Sequence, residues 1–384
     1  MRRILPFSVV LSSLLGAASV FAQTPVSADF SGRLYYDVAR FDNDDRGRDE
    51  RDGDNVRAAW LGMSGKLFAL NYKLEADFAN DDVIARDVYL AWTRGSQTFT
   101  LGQFKQFYTL DDRGSTNHIP LIERSQLAQS LAPGYRLGLG WNGYRSNGLF
   151  WAASAYSLES IDVWQTPGHA GSARVGLAPQ REAGRVLHLA VSAGREHYDH
   201  PGANGANALR VRPRLAGYYA DNSRLTLIDF SGGRDVDATR YGLELAAVHG
   251  PWSWQGEYGR ADYDDGAQRA RIDGGYAQIS WLLTGESRPY DAKAGRFVQL
   301  KPQRKSRAWE LALRYDRIDG QQNGDGMATP RDVRGESWAA GVNWYAHRHM
   351  RVMIDWTESR RRDRLAARTL DDTGTLAGRV QFDF

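Results

Sequence analysis

Gly378-Arg-Val-Gln-Phe-Asp-Phe384 closes the chain, and its alternation decides the fold class. Counting back from Phe384, the residues Phe382, Val380, Gly378 and Leu376 are apolar or small, whereas Asp383, Gln381, Arg379 and Thr375 are polar. A period of two gives a strand one greasy face and one wet face. An aromatic C-terminus on such a strand, paired with an export signal at the other end, is a common pattern of barrels that span an outer membrane.

The N-terminus supplies that signal. Arg2 and Arg3 precede a short apolar stretch, Ile4 to Leu15, broken by Pro6, and Val20-Phe21-Ala22 places small residues where a signal peptidase reads. Cleavage is expected after Ala22, leaving 23–384 as one barrel domain. The apolar run is too short for a membrane helix. The chain has no cysteine, hence no disulfide framework and no thiolate metal site. A mean hydropathy of −0.53 is compatible with a barrel, which shows only alternate residues to lipid.

Alternation recurs along the whole chain. Sixteen strands are predicted, at 30–41, 54–66, 69–80, 83–93, 97–105, 135–142, 147–156, 171–178, 185–197, 238–248, 251–263, 271–283, 305–318, 334–345, 349–359 and 374–384. Coherent lipid-side sets include Leu34, Tyr36 and Val38; Tyr241, Leu243 and Leu245; and Trp309, Leu311 and Leu313. Connections alternate between tight (67–68, 94–96, 249–250) and long and polar (42–53, 106–134, 157–170, 198–237, 319–333, 360–373), as in barrels with short periplasmic turns and long outer loops. Two break the rhythm: 81–82 is short on the long side, and 284–304 is long on the short side. The third outer loop, 106–134, exceeds a hairpin turn and is expected to fold into the lumen. The reading is all-β, a transmembrane antiparallel barrel of about sixteen strands.

Parity turns particular charges inward: Arg33, Arg57 (alternating with Val56, Ala58 and Trp60), Asp87, Arg240, Glu244, Arg314, Arg351 and Arg379. Net charge is only +3, yet all but six of the 49 basic residues are arginine. Arginine forks bind phosphate and carboxylate bidentately and stay charged, and cationic rings give a pore anion selectivity. The competing reading makes these charges a ladder that braces the wall. In 198–237, Arg210-Val-Arg212-Pro-Arg214 forms an extended stripe, either phosphate-friendly or a solvated loop edge.

Several stretches resemble the phosphate-selective porins O and P: Gly32-Arg33-Leu34, Val56-Arg57-Ala58-Ala59-Trp60, Gly102-Gln103-Phe104-Lys105, Glu123-Arg124, the stripe at 210–214, Leu283-Thr284-Gly285-Glu286, Trp309-Glu310-Leu311 and Gly341 to Ala346. The resemblance implies a homotrimer of sixteen-stranded anion porins in the outer membrane of a Gram-negative bacterium. Its third loop would form an anion site from Arg33, Arg57, Asp87, Ser115, Thr116 and Arg124. Arg210, Arg212 and Arg214 would be a funnel, Asp87 would orient the arginine heads, and Lys105 and Arg113 would add charge at the constriction. Ala58 stands where the family carries a second arginine, and Asp112 about where phosphate-specific members carry a lysine. Those departures broaden the expected cargo from orthophosphate to pyrophosphate, polyphosphate or anions generally. Lipid and lipopolysaccharide outside, and the barrel-assembly machinery through Phe384, are the expected partners, with no nucleic acid.

Other classes are weaker. An enzyme needs a nucleophile beside a base; His188 alone lies mid-strand facing inward, with no serine partner evident. No His/Asp cluster shows metal-ligand spacing, so no metal or cofactor is expected. A barrel plugged by 198–237, acting as a receptor, or a general small-solute porin, remains as the alternative.

Overall fold

The alternation becomes sixteen antiparallel strands closed into a barrel. The computed structural model describes residues 26–384 apart from 45, 48, 80, 301, 303–306 and 328; the expected export segment 1–22 lies outside the described residues. The barrel strands are β1 Ser27–Asn43, β2 Gly53–Leu67, β3 Leu70–Asp77, β4 Ile84–Arg94, β5 Gln97–Lys105, β6 Tyr135–Tyr144, β7 Leu149–Ser157 and β8 Gly168–Glu182. They continue as β9 Arg185–Tyr198, β10 Val236–His249, β11 Trp252–Asp264, β12 Gln268–Leu282, β13 Ala308–Gly324, β14 Arg331–His347, β15 Met350–Asp363 and β16 Arg368–Asp383.

Each strand pairs with its chain neighbours, and β1 pairs with β16 from Arg33 opposite Asp383 to Asn43 opposite Thr373. Closure leaves no unpaired edge, which is what allows strands to sit in hydrocarbon. The C-terminal residue finishes the seam. Gly32 N–H donates to Phe384 O at 3.0 Å, and Phe384 N–H donates back to Gly32 O at 3.1 Å. A Cβ on residue 32 would overlap the Phe384 ring as it lies, so a side chain there would displace the ring.

Packing is inverted relative to a soluble protein. Leu34, Tyr36, Val38, Leu90, Tyr241, Leu243, Leu245, Leu313, Ile354 and Leu376 are exposed on the outside, whereas Asp37, Glu196, Arg240, Glu244, Glu257 and Arg314 are buried within. Trp252 stacks on its cross-strand partner Trp281 with centroids 4.8 Å apart at the short-turn end, and Tyr315 meets Trp338 at 4.7 Å toward the other end. These pairs sit where interfacial girdles belong.

Three differences from the sequence reading bear on the site. The connections expected at 319–333 and 360–373 are mostly strand, because Arg317 and Arg334 pair with Asp319, and Arg360 with Asp372. Solvated charge ladders of this kind sustain pairing without any hydrophobic alternation to betray it. Second, β2 and β4 carry bulges. Tyr35 pairs with Ala58 but Tyr36 with Val56, so Arg57 is an extra residue; Leu74 pairs with Val88 but Ala76 with Ala85, so Arg86 and Asp87 together face Glu75. A bulge places successive residues on one face. Trp60 therefore turns into the lumen, not to the lipid side opposite Arg57 as strict parity requires. Third, β11 and β12 are joined by only 265–267, and the connection 283–307 between β12 and β13, long as expected, carries an unexpected ribbon, Tyr290–Asp291 with Arg296–Phe297.

That ribbon and two outer connections enter the barrel. Segment 106–134 forms α1 Leu110–Arg113, a 3-10 turn Thr116–His118 and α2 Gln126–Leu131. Segment 199–235 carries a second ribbon, Leu209–Val211 with Ile228–Phe230, and buries Leu215, Leu225, Leu227 and Ile228 against Val236, Ala261, Ile272 and Ile318 of the inner wall.

Candidate functional site

Segment 106–134 is held across the lumen by groups far away in sequence. Glu257 on β11 accepts the N–H groups of Leu110 and Asp111 at 2.8 and 2.7 Å, satisfying free donors at the start of α1. Asp316 on β13 accepts Gln126 N–H at 2.9 Å, and Asp355 on β15 accepts Ile122 N–H. From the same wall, Arg314 donates to Glu123 O at 2.8 Å, Arg351 to Ile119 O at 2.8 Å and Asn343 to Pro120 O at 2.7 Å. Inward acids take the loop's amides, and inward bases take its carbonyls.

Opposite this brace, between the segment and strands β1–β6, lies a cavity of about 590 Å³. Its wall carries ten cationic side chains and four carboxylates. Arg33, Arg57, Asp87, Ser115, Thr116 and Arg124 all line it, as do Lys105, Arg113 and Arg214.

Their partners separate their roles. Arg33 Nη1 lies 3.3 Å from both Ser115 Oγ and Thr116 Oγ1, and its other Nη is 3.7 Å from Glu75. Both hydroxyls accept from Arg33, which leaves the Ser115 hydrogen to donate, while Thr116 Oγ1 also lies 3.3 Å from Tyr35 Oη. The Arg33 head also covers the Trp60 ring at 3.9 Å. Arg57 makes no ion pair among the described residues; it lies over the Tyr218 ring at 3.8 Å, with Arg214 on the same ring at 5.0 Å. Asp87 binds Lys73 at 2.6 Å. It does not orient the arginine heads as the resemblance implies, since the carboxylate beside Arg33 is Glu75.

Arg124 donates to Asp111 O and, at 2.8 Å, to Gly114 O, so it braces the turn after α1 as well as facing the cavity. Asp112 contacts Lys105 at 3.1 Å and Arg124 at 3.7 Å. Burial works to raise the Asp112 carboxyl, yet Lys105 and Arg124 hold it below the usual range. Burial, then the cations Arg296 and Arg174, push Arg113 down to about 10. Burial followed by Arg33 pushes His118 down to about 3, leaving it neutral at physiological pH. Burial leads both shifts, and neighbouring cations add to each.

The stripe at 210–214 divides. Arg214 reaches the cavity and binds Asp221 at 2.8 Å, while Arg210 pairs with Asp229 at 2.9 Å outside the cavity and Arg212 is exposed there too. Sequence reasoning missed Lys73, Arg86 and Arg296, which also line the cavity, as does Arg379, which parity turned inward without assigning it to the site. Arg86 and Asp87 are adjacent charges within one strand, and two neighbours that both avoid lipid are the mark of a bulge. His188 is fully buried with Nδ1 at 2.6 Å from Tyr290 Oη and Nε2 at 3.1 Å from Glu244, so both ring nitrogens are engaged.

A closed sixteen-stranded barrel with an apolar belt, a charged lumen and its third outer loop braced inside is an outer-membrane porin. The chain belongs to the phosphate-selective porin O and P family, whose model matches residues 29–384. It is 26% identical over 422 residues to Porin O of Pseudomonas aeruginosa, spanning 98% of this chain and 92% of that protein. Among solved structures it resembles the trimer form of OmpT, an outer membrane protein of Vibrio cholerae, with a TM-score of 0.59, 13% identity, and 94% of this chain and 100% of that one covered. It also resembles an anion-selective porin from Comamonas acidovorans, with a TM-score of 0.61, 11% identity, and the same coverages. These two likenesses concern the fold, and the family places the protein in a Gram-negative outer membrane.

Proposed function

We propose that this porin admits phosphate and its condensed forms, pyrophosphate and polyphosphate, through the cavity between segment 106–134 and strands β1–β6. The observation that carries the reading is the imbalance at its wall, ten cations against four carboxylates, with Arg57 outside any ion pair among the described residues. An anion leaving water there regains its hydration from fixed donors. Arg33 and Arg57 offer charge-assisted hydrogen bonds, and Ser115 and Thr116 offer neutral ones. Glu75, Asp87 and Asp112 moderate the well so that the ion departs again, which conduction requires. Arg214 links the site to the outer mouth, where Arg210 and Arg212 attract anions by longer-range field.

A broader anion cargo is favoured by Ala58 and Asp112, which take away positive charge where a strictly orthophosphate-specific site would add it. Titrating orthophosphate, pyrophosphate and short polyphosphate into chloride during single-channel recording tests the reading. Block at low concentration names the cargo. Equal, weak block by all three and by carboxylates supports a general anion pore, and absence of stable ohmic steps supports a plugged receptor. Assembly as a homotrimer is part of the proposal, supported by the trimer form of the Vibrio cholerae relative in fold. Phe384, sealed to Gly32 with its ring exposed, is proposed as the handle for the assembly machinery, and the apolar belt with its charged rim as the surface for lipid and lipopolysaccharide.

A further inference from the structure

We propose that the outer rim at the neck of segment 199–235 binds a divalent transition cation of the zinc class, with His197, Asp199 and Asp235 as ligands. Strand register assembles the site from residues with no local spacing signal. His169 on β8 lies opposite His197 on β9, and His197 lies opposite Asp237 on β10. All three share the outward parity of Val175, Val191 and Tyr241, so they form one row above the lipid-facing belt. The segment leaves β9 through Asp199 and returns to β10 through Asp235, which brings both carboxylates to this row. One ligand atom from each of His197, Asp199 and Asp235 lies within 4.8 Å of the others.

The groups are positioned by bonds that need no ion. His197 Nδ1 is 2.8 Å from Asp237 Oδ1, which turns Nε2 toward Asp199, 3.3 Å away. A carboxylate holding one ring nitrogen while the other faces the ligand set is the usual support of a metal-bound histidine, fixing tautomer and ring plane. Asp199 N–H bonds Pro167 O at 3.1 Å. One oxygen of Asp235 takes His200 N–H at 3.0 Å and lies 2.8 Å from the His200 ring, with His200 in the left-handed region at φ 46. Ligand bonds of about 2.1 Å space neighbouring donors by roughly 3.4 Å. His197 Nε2 and Asp199 Oδ1, 3.3 Å apart, already meet that spacing. Imidazole with carboxylates suits zinc, nickel and copper, whereas calcium and magnesium want oxygen alone. Such an ion ties together the two ends of the segment that delivers Arg214 and Tyr218 to the cavity.

The test uses tag-free, full-length protein folded in detergent and titrated calorimetrically with zinc chloride. One saturable site per chain is expected. His197→Ala and Asp235→Asn should each weaken it at least tenfold, and Asp237→Asn, acting through His197, roughly 10- to 100-fold. Asp82→Asn, an exposed acid in the turn between β3 and β4 on another side of the rim, should leave it unchanged. Copper(II) in the same protein should show nitrogen coupling in its electron paramagnetic resonance spectrum, lost in His197→Ala. All four substituted side chains are partly or fully exposed, and heat-modifiable gel migration confirms that each variant is a closed barrel. Absence of a saturable site, or zinc affinity and nitrogen coupling unchanged in His197→Ala, overturns the proposal.

Discussion

Arg57→Gln removes a cation that no carboxylate pairs among the described residues, so its cost should fall on the anion and not on the barrel. A cavity of about 590 Å³ has the volume of a sphere roughly 5 Å in radius, which sets an anion at its centre some 6 Å from a guanidinium on the wall. At that distance one unit charge attracts another by about 0.7 kcal/mol in bulk water and about 2.8 kcal/mol at an effective dielectric of 20. The distance is within the screening length of about 10 Å at 0.1 M salt, so the attraction survives. An intermediate value of about 1.4 kcal/mol is a tenfold change in occupancy, and more for a doubly charged ion. The assay is the pyrophosphate concentration that halves single-channel chloride current in 0.1 M KCl. It should rise about tenfold, while the unfolding temperature from heat-modified gel migration stays at the wild-type value. A half-blocking concentration within twofold of wild type would refute the assignment of Arg57 as an attracting charge.

Arg379→Gln should do the reverse, because Arg379 contacts both oxygens of the buried Asp37 at 2.7 Å. Stranding that carboxylate costs about 3–5 kcal/mol, read as a lower unfolding temperature. Glu257→Ala leaves the buried N–H groups of Leu110 and Asp111 without their partner, at a cost of about 1–3 kcal/mol each. Faster hydrogen exchange at those two amides and a larger, noisier conductance are expected. With Arg113 pushed down to about 10 by burial and then Arg296 and Arg174, its charge is present below that pH and lost above it. Anion selectivity should therefore step down as pH rises through about 10, a step that Arg113→Gln lacks. His118, pushed down to about 3 by burial and then Arg33, adds no step between about pH 5 and 8.

Alternation alone was enough to place Arg33, Arg240, Arg314 and Arg379 inside, because a lipid-facing charge is expensive and parity has only two outcomes. It could not say which of them would meet an anion. Arg240 and Arg314 are spent on Glu196 and Asp316, and on the carbonyls of Leu131 and Glu123. Asp316 is two residues along the same strand, but Glu196, Leu131 and Glu123 lie on another strand or in segment 106–134, at separations where sequence carries no local signal. Parity failed outright at Trp60 and Arg86, where bulges shift the phase by one residue. The long turn 283–307 showed in the sequence only as an irregular length, since its inward course depends on Phe297 packing against Leu110 and Val248. The proposed rim site of His197, Asp199 and Asp235 goes beyond the sequence reading, which found no His/Asp cluster with ligand spacing. Register joins residues 36 positions apart that spacing could not associate.

Reversal potential across a bilayer under a tenfold KCl gradient measures the sign of the interior most directly. An excess of cations over carboxylates at the cavity wall predicts anion selectivity, with the potential approaching the chloride limit and Arg57→Gln moving it toward zero. A wild-type potential near zero or of cation-selective sign would contradict the account.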